Sequence, residues 1–223
     1  MKKITILSLL AVCFAAISFT SCMNSDDNGY SALTAEQQKT YQTNMALAGT
    51  FNDMVLLFEH KNDADVKNQV DSVETYCDFS MYGDSTLRVS NFPIAQLAEH
   101  ISDKDLKEAI AKVEPRTVNL KYVVLPNSNQ TTAYLYACPQ PITLNLTYGS
   151  EAKSHEVKLI FSYDVYNGVG YCAWSSKKLG LPFYLYAIFV DGKQTNYISN
   201  STASSRNYVN FALRNKIVNK DNK

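Results

Sequence analysis

The stretch TTAYLYACPQPITLNLTYGS, residues 131–150, decides the fold class of this chain. It contains two runs rich in β-branched, aromatic and aliphatic residues, at 132–137 and 142–148, and Gly149 and Ser150 end the second run with a turn signal. Such runs are typical of strands, whose side chains alternate between two faces. The same character predicts further strands at residues 51–59, 73–81, 86–92, 122–125, 156–166, 171–174, 183–190, 194–199 and 209–213.

Helical patterns occur only in the first half of the chain. A helix is predicted at residues 33–48, because Thr34-Ala-Glu-Gln37 matches a capping box and Gly49 is placed to end the helix. Two short central helices are predicted next, one begun by Pro93 and one capped by Ser102. Helices early and strands late, without βα alternation, predict an α+β, mostly β fold. We expect antiparallel sheets in a sandwich- or barrel-like arrangement, with an N-terminal helix and a central pair of short helices.

The N-terminus carries the features of an export signal. Two lysines precede the uncharged, mostly apolar residues 4–21, which end in small residues. The ending Phe19-Thr20-Ser21-Cys22 resembles a bacterial lipobox, a signal in which the cysteine receives a lipid. We therefore predict a lipoprotein signal peptide at residues 1–21 and lipidation of Cys22, so that the chain's partner is a lipid bilayer, reached through the acyl anchor. The alternative is an ordinary signal with a chance cysteine.

Residues 22–32 are polar and acidic, which predicts a flexible tether. Within them, Ser25-Asp26-Asp27 resembles the surface-export tag of Bacteroidales lipoproteins, and the alternative is a plain linker on a periplasm-facing protein. We predict a single globular domain at residues 33–218 and a polar tail at residues 219–223. The predicted location is the bacterial outer membrane, where the lipid-anchored chain is surface-exposed or periplasm-facing.

The charge of the whole chain is balanced, with 21 basic and 21 acidic residues. No basic cluster of the size that binds phosphate backbones is visible, so the composition excludes nucleic acid as a partner. Once the signal is removed and Cys22 is lipidated, Cys77, Cys138 and Cys172 remain, an odd number without CxxC spacing. Their apolar, aromatic surroundings favour buried free thiols, and one disulfide stays open as the alternative.

The sequence predicts no catalytic, metal-binding or cofactor-binding residues. His60, His100 and His155 lie far apart and match no ligand spacing, so surface positions are predicted for them. Gly83-Asp84-Ser85 resembles the serine block of GDS-type esterases, but no Asp-x-x-His follows near the C-terminus, and the flanking strands predict a hairpin turn. Asn62-Asp-Ala-Asp65 resembles the start of a calcium loop, but no closing glutamate follows, so a solvated loop is predicted.

Aromatic residues provide the candidate ligand site. The chain has 15 Tyr, 10 Phe and 1 Trp, and many of them lie late in the sequence. Their amphipathic rings suit stacking on sugars or peptides, and they suit cross-strand packing equally well. Cys172 and Trp174 share one face of their strand, and the apolar cysteine predicts that this face points inward. The candidate ligand surface consists of Tyr171, Trp174, Tyr184 and Tyr186.

Two tripeptides, Asp71-Ser72-Val73 and Asp84-Ser85-Thr86, resemble the O-glycosylation acceptor of the same bacterial group. Both lie where a loop or turn is predicted, as an acceptor must. Ser72 and Ser85 are therefore candidate O-glycosylation sites.

The order of these features resembles a family of Bacteroidales lipoproteins that carry a domain of unknown function. The resemblance rests on Leu33-Thr-Ala-Glu-Gln with Tyr41 and Gly49, on Asn91-Phe92-Pro93-Ile94, and on the late tyrosine-rich strands. It implies no established activity and no functional residues. The sequence favours a non-enzymatic binding or structural module at the cell envelope, which takes an extracellular glycan, a peptide or a partner protein. The alternative is a hydrolase with a dispersed active site.

Overall fold

The computed structural model describes residues 34–59, 70–125, 131–163, 169–198 and 209–216. The predictions for the signal peptide, Cys22, the tether, His60, the loop at 62–65 and the polar tail fall outside these residues. Among the described helices, none is long and apolar enough to cross a bilayer.

The described chain contains two α-helices, one 3-10 helix and eleven strands. In chain order they are α1 (Ala35–Leu47), β1 (Gly49–Glu59), β2 (Val70–Phe79), β3 (Thr86–Phe92), the 3-10 helix (Ile94–His100), α2 (Lys104–Ile110), β4 (Arg116–Val124), β5 (Thr132–Pro139), β6 (Ile142–Tyr148), β7 (Lys153–Tyr163), β8 (Gly170–Ala173), β9 (Lys178–Val190), β10 (Lys193–Thr195) and β11 (Val209–Asn215).

The strands form one antiparallel sheet that closes on itself. Strands β1 to β5 pair in chain order, β5 pairs with β8, β8 with β9 and β9 with β11, and β11 returns to β1, which makes an eight-stranded barrel. Strands β7 and β8 both pair with β9, β8 near the start of β9 and β7 further along it. On their other side β8 pairs with β5 and β7 pairs with β6. The predicted mostly β fold with an N-terminal helix is confirmed, and its barrel form is the one observed.

Alternation along the strands fills the barrel with apolar side chains. On β5, buried Ala133, Leu135 and Ala137 alternate with half-buried residues. On β1, Asp53 with a φ of 54° marks a bulge that shifts the register, which changes the alternation so that Phe51 and Met54 are both buried. At the centre, four rings lie with their centroids 5.4–6.4 Å apart: those of Phe92, Phe161, Phe183 and Phe211.

The two ends of the barrel carry different helices. At the first, which we call the α1 end, Asn44 Nδ2 donates to the carbonyl of Gly83 and to Ser85 Oγ, both at 3.0 Å, so α1 is tied to the turn between β2 and β3. The opposite end, which we call the α2 end, carries the 3-10 helix and α2. There Ile101 forms a β-bridge with Ile198, which ties the segment between the two helices to the chain that follows β10.

The central helices differ from their predicted form. The segment after Pro93 is a 3-10 helix, and the N-cap of α2 is Asp103, whose carboxylate accepts from the backbone N–H of Leu106 at 2.8 Å. Ser102, the predicted cap, instead donates through Oγ to the carbonyl of Tyr197 at 3.1 Å. Serine and aspartate are both good N-cap residues. The hydrogen bond from Ser102 to Tyr197 leaves Asp103 to cap the helix.

Several strands begin earlier than predicted. Strand β4 starts at Arg116 rather than residue 122. Exposed Thr117 and Asn119 alternate regularly with buried Val118 and Leu120, but these polar residues make the stretch less apolar than the runs on which the prediction relied. Strand β2 starts at Val70, so the prediction that Ser72 lies in a loop is wrong. Ser72 is an exposed residue within β2.

Candidate functional site

The predicted aromatic surface divides between the outside of the barrel and its core. Tyr171, Tyr184 and Tyr186 lie on the outer side of β8 and β9, where Tyr171 and Tyr186 are 42% and 40% exposed. Trp174, directly after β8, packs against the hydrophobic core with part of its surface exposed. Cys172 is fully buried, in agreement with the predicted inward face.

The outer tyrosines lie close to the sheet. Tyr171 pairs with Gly180 across β8 and β9, and a Cβ on Gly180 would lie only 2.6 Å from Tyr171 Cε1, so the ring covers the glycine. Tyr184 and Tyr186 meet edge-on with their centroids 6.4 Å apart. We call Tyr171, Tyr184 and Tyr186 the outer tyrosine surface; it is shallow, with two well-exposed rings.

A cleft that the sequence analysis did not predict lies between α2 and the β6–β7 hairpin. Its volume is about 610 Å³, within the range of small-molecule sites. One wall comes from α2 and the residues after it, and the other from the end of β6 and the following turn. The lining residues are Asp105, Glu108, Ala109, Lys112, Val113, Asn145, Leu146, Thr147, Tyr148, Gly149 and Ser150.

Local patterning explains why polar groups line this cleft. Leu106 and Ile110 are fully buried, so α2 presents its opposite side, with Asp105 and Glu108, to the cleft. On β6 the buried Leu144 alternates with exposed residues such as Asn145. The turn after β6 approaches α2 closely, because a Cβ on Gly149 would lie 3.9 Å from Asp105 Oδ2.

Tyr148, at the end of β6, is supported by a histidine–carboxylate pair. Its ring centroid lies 4.4 Å from that of His155, and His155 Nδ1 lies 2.8 Å from Asp191 Oδ2. Because a carboxylate only accepts, the pair places the imidazole proton on Nδ1. Asp191 Oδ1 also accepts from the backbone N–H of Glu156 at 3.0 Å. The hydrogen bond from His155 holds the pKa of Asp191 below its usual range, so the carboxylate stays charged.

The phenol of Tyr148 stays protonated at neutral pH. Burial raises the pKa of Tyr148 to about 12, and the nearby carboxylates of Asp103, Asp191 and Asp105 act in the same direction. The phenol oxygen is therefore a hydrogen-bond donor as well as an acceptor. In chemical terms, the cleft offers an aromatic ring, a phenol, two carboxylates, an amide and one ammonium group.

The structure corrects the surface prediction for His100, which is buried in the 3-10 helix with 3% of its surface exposed. His155 is partly buried and paired rather than free. Ser85 lies in the predicted hairpin turn, at the α1 end, whereas His155 lies near the start of β7 on the α2 side, so the esterase-like serine and this histidine are far apart. Ser85 Oγ, the candidate O-glycosylation acceptor, accepts a part-buried hydrogen bond from Asn44.

Cys77, Cys138 and Cys172 form no disulfide in the part of the chain that the structure describes, and the predicted burial holds for Cys77 and Cys172. Cys77 and Cys172 are fully buried in the barrel, whereas Cys138 is half-buried. Burial raises the pKa of Cys172 to about 12 and raises the pKa of Cys77 well above that of an exposed thiol. Because the thiolate is the reactive form, neither buried group suits nucleophilic chemistry.

Comparison with curated proteins and with solved structures finds no match. One protein family, described as a domain of unknown function, matches residues 40–190. The matched region runs from within α1 to the end of β9, and it includes the cleft and Tyr148 with its support from His155. Since the match covers well over half of the sequence, the chain belongs to the DUF4840 family.

Proposed function

We propose that this protein is an exported, lipid-anchored binding module of the bacterial outer membrane, and that the cleft between α2 and the β6–β7 hairpin holds a glycan. The anchor rests on the lipobox-like ending at Cys22 and the charged, then apolar, signal before it. The ligand site rests on one observation, the ring of Tyr148 supported by His155 and Asp191 next to the hydrogen-bonding groups of α2.

The chemistry of the cleft suits a hydroxyl-rich ligand. Asp105 and Glu108 supply carboxylate acceptors, and Asn145 supplies both a donor and an acceptor. The ring of Tyr148 and the apolar side chain of Val113 suit the C–H faces of a sugar. A volume of about 610 Å³ fits a few sugar units better than a large protein interface, so a glycan is favoured over a partner protein.

A hydrolase is the second candidate, and a specific observation favours it. Asp105 and Glu108, three residues apart on α2, both line the same cleft. Glycoside hydrolysis uses two carboxyl groups, one as acid and one as base or nucleophile. Binding and hydrolysis therefore differ in what these two carboxylates do once the glycan is bound.

The test is a glycan-array screen of the mature chain, followed by calorimetric titration of the best ligand. Tyr148→Ala should weaken binding by about ten-fold or more, since a stacking ring in a pocket is a typical affinity anchor. Tyr186→Ala is the matched control because it removes an exposed ring of the outer tyrosine surface. If Tyr186→Ala abolishes binding and Tyr148→Ala does not, the site is the outer tyrosine surface and the cleft proposal fails.

The same ligand separates binding from hydrolysis. Incubation with the wild-type chain should leave the glycan intact, as read by mass spectrometry. Cleavage that disappears in both Asp105→Asn and Glu108→Gln would show that the hydrolase candidate is correct. Reduced affinity without cleavage in the same variants supports the binding module.

A further inference from the structure

Four large apolar side chains are exposed at the α1 end, two on α1 and two in the β2–β3 turn that α1 covers. Tyr41 and Met45, four residues apart on α1, are 49% and 41% exposed, and Met81 and Tyr82 in the β2–β3 turn are 73% and 88% exposed. A Cβ on Gly83 would lie 3.1 Å from Tyr41 Cε2 and 3.9 Å from Met45 Sδ, so the helix face lies directly on the turn. We call these four side chains the end patch. Single exposed apolar residues are normal, whereas a contiguous group marks an interaction site.

The composition of the end patch suits a fluid apolar surface. A tyrosine combines an apolar ring with a hydroxyl group and is enriched where hydrocarbon meets water. Methionine is flexible and polarisable, so it adapts to a surface without fixed shape. Met81 and Tyr82 project from the tip of a turn rather than lining a pocket, and that geometry favours shallow insertion over a shape-specific contact.

The α1 part of the end patch lies close in sequence to Cys22, and this favours a lipid bilayer as the surface that the patch contacts. Helix α1 begins at Ala35, thirteen residues after Cys22. The sequence predicts a flexible tether here, and a flexible chain of thirteen residues has a root-mean-square span of roughly 20 Å and a maximum reach of roughly 45 Å. A lipid on Cys22 therefore keeps α1 and the turn it covers at a high effective concentration near the bilayer.

We propose that the end patch docks on the surface of the bilayer that holds the lipid of Cys22. This inference rests on the lipid anchor of the proposed function and does not depend on the glycan cleft. Docking at the α1 end leaves the cleft, which lies on the α2 side of the barrel, facing away from the membrane. The bound orientation would thus hold the cleft open to solvent.

Hydroxyl-radical footprinting read by mass spectrometry tests the docking. The mature lipidated chain is placed on vesicles of phosphatidylethanolamine and phosphatidylglycerol. It is compared with the Cys22→Ser chain, expressed without residues 1–21, free in solution. Oxidation of Met81 and Tyr82 should fall by about five-fold or more on vesicles, because the bilayer excludes water from inserted groups. Tyr186, an exposed ring remote from the end patch, should keep its reactivity. Equal oxidation of Met81 and Tyr82 in both samples overturns the proposal.

Two further measurements distinguish a failure of docking from a failure of the lipid anchor. The mass of the N-terminal peptide reports acylation of Cys22, and a missing acyl group refutes the anchor whatever the footprint shows. Sedimentation of the Cys22→Ser chain with the same vesicles then reports the end patch alone. Binding that falls by about ten-fold in Met81→Ser/Tyr82→Ser supports docking, since it removes the two most exposed apolar groups. Absence of binding, or protection already present in solution together with a dimer mass, overturns it.

Discussion

His155 Nδ1 donates a hydrogen bond of 2.8 Å to Asp191 Oδ2, and this bond ties the β6–β7 hairpin to the turn between β9 and β10. The other oxygen of the same carboxylate accepts from the backbone N–H of Glu156. Both oxygens of Asp191 are therefore bound by adjacent residues of β7. His155 also packs against Tyr148. The position of the Tyr148 ring in the cleft therefore depends on Asp191, in the turn between β9 and β10.

We expect acid to break the hydrogen bond between His155 and Asp191. The hydrogen bond from His155 lowers the pKa of Asp191 in the folded state. A lowered folded pKa means that the interaction stabilises the protein above the unfolded Asp pKa of about 3.9 and that this stabilisation is lost as the pH falls through the folded pKa. We expect the melting temperature of the wild type to fall more steeply in this acid range than that of Asp191→Asn. Glu151→Gln, in the turn of the same hairpin, is the control, and parallel pH curves for wild type and Asp191→Asn would contradict the prediction.

The central aromatic cluster should dominate stability. Phe211→Ala is expected to cost about 3–5 kcal/mol, the usual result of emptying a buried aromatic site. Trp174→Ala should cost less, about 1–3 kcal/mol, because the tryptophan packs against the core but stays partly exposed. Urea titration monitored by far-ultraviolet circular dichroism measures both. A larger loss for Trp174→Ala than for Phe211→Ala would place the tryptophan at the centre of the core.

Two glycines of the β8–β9 region should differ in their tolerance of alanine. A Cβ on Gly170 would lie 2.9 Å from the carbonyl oxygen of Leu135, which cannot move without moving the strand. A Cβ on Gly180 meets the ring of Tyr171, which can turn away. We expect Gly170→Ala to destabilise by about 1–3 kcal/mol and Gly180→Ala by less. In a double-mutant cycle, Tyr171→Ala should relieve most of the Gly180→Ala effect; additive losses would show that the ring is not the obstacle.

The buried thiols should resist alkylation. Since burial raises the pKa of Cys172 to about 12 and also raises the pKa of Cys77, both thiols are protonated at the pH values used for labelling. In the folded Cys22→Ser chain, expressed without residues 1–21, we expect maleimide to reach the half-buried Cys138 first, and all three cysteines to react after denaturation. Mass spectrometry of the labelled peptides identifies each site. Rapid labelling of Cys172 in the folded chain would contradict its buried position.

Lipidation should depend on one sulfur atom. Cys22→Ala removes the thiol that the acyl group would join, so the variant should keep its signal peptide and lose palmitate labelling. Detergent partitioning of the labelled protein measures the effect, and Cys13→Ala is the control because it changes a cysteine within the signal. A Cys22→Ala chain that still carries the acyl label would show that the anchor is elsewhere.

Local sequence patterns predicted the positions of most strands and helices, but they did not predict which strands pair with each other. Strand β6 was predicted with its observed limits because its alternation is regular and Gly149, with a φ of 82°, ends it. The pairing of β11 with β1 leaves no local trace, since Met54 and Asn215 become neighbours only in the folded sheet. The outline of the fold could therefore be predicted as sandwich- or barrel-like, and closure could not.

The cleft was unpredictable for the same reason. Asp105 and Asn145 lie forty residues apart, and Asp191 belongs to yet another connection. None of them stands in a motif, because a binding site assembled by tertiary contacts needs no fixed sequence spacing. His155 was predicted to lie at the surface because it matches no ligand spacing. Its partner Asp191 is 36 residues away, and Tyr148, seven residues away, reaches it through the β6–β7 hairpin. The late tyrosine-rich strands were the visible signal, but the candidate surface drawn from them did not include Tyr148.

Strand β11 has a consequence for how the molecule is made. It pairs with β9 on one side and β1 on the other, so both edges remain open until residues 209–215 arrive. Long-range pairings of this kind form slowly, because a large loop must close first. Along the proposed export route, a chain whose residues 209–215 are still inside the translocation channel has both of these edges unpaired and cannot close the barrel. Export of residues 209–215 would therefore come before the final folding step.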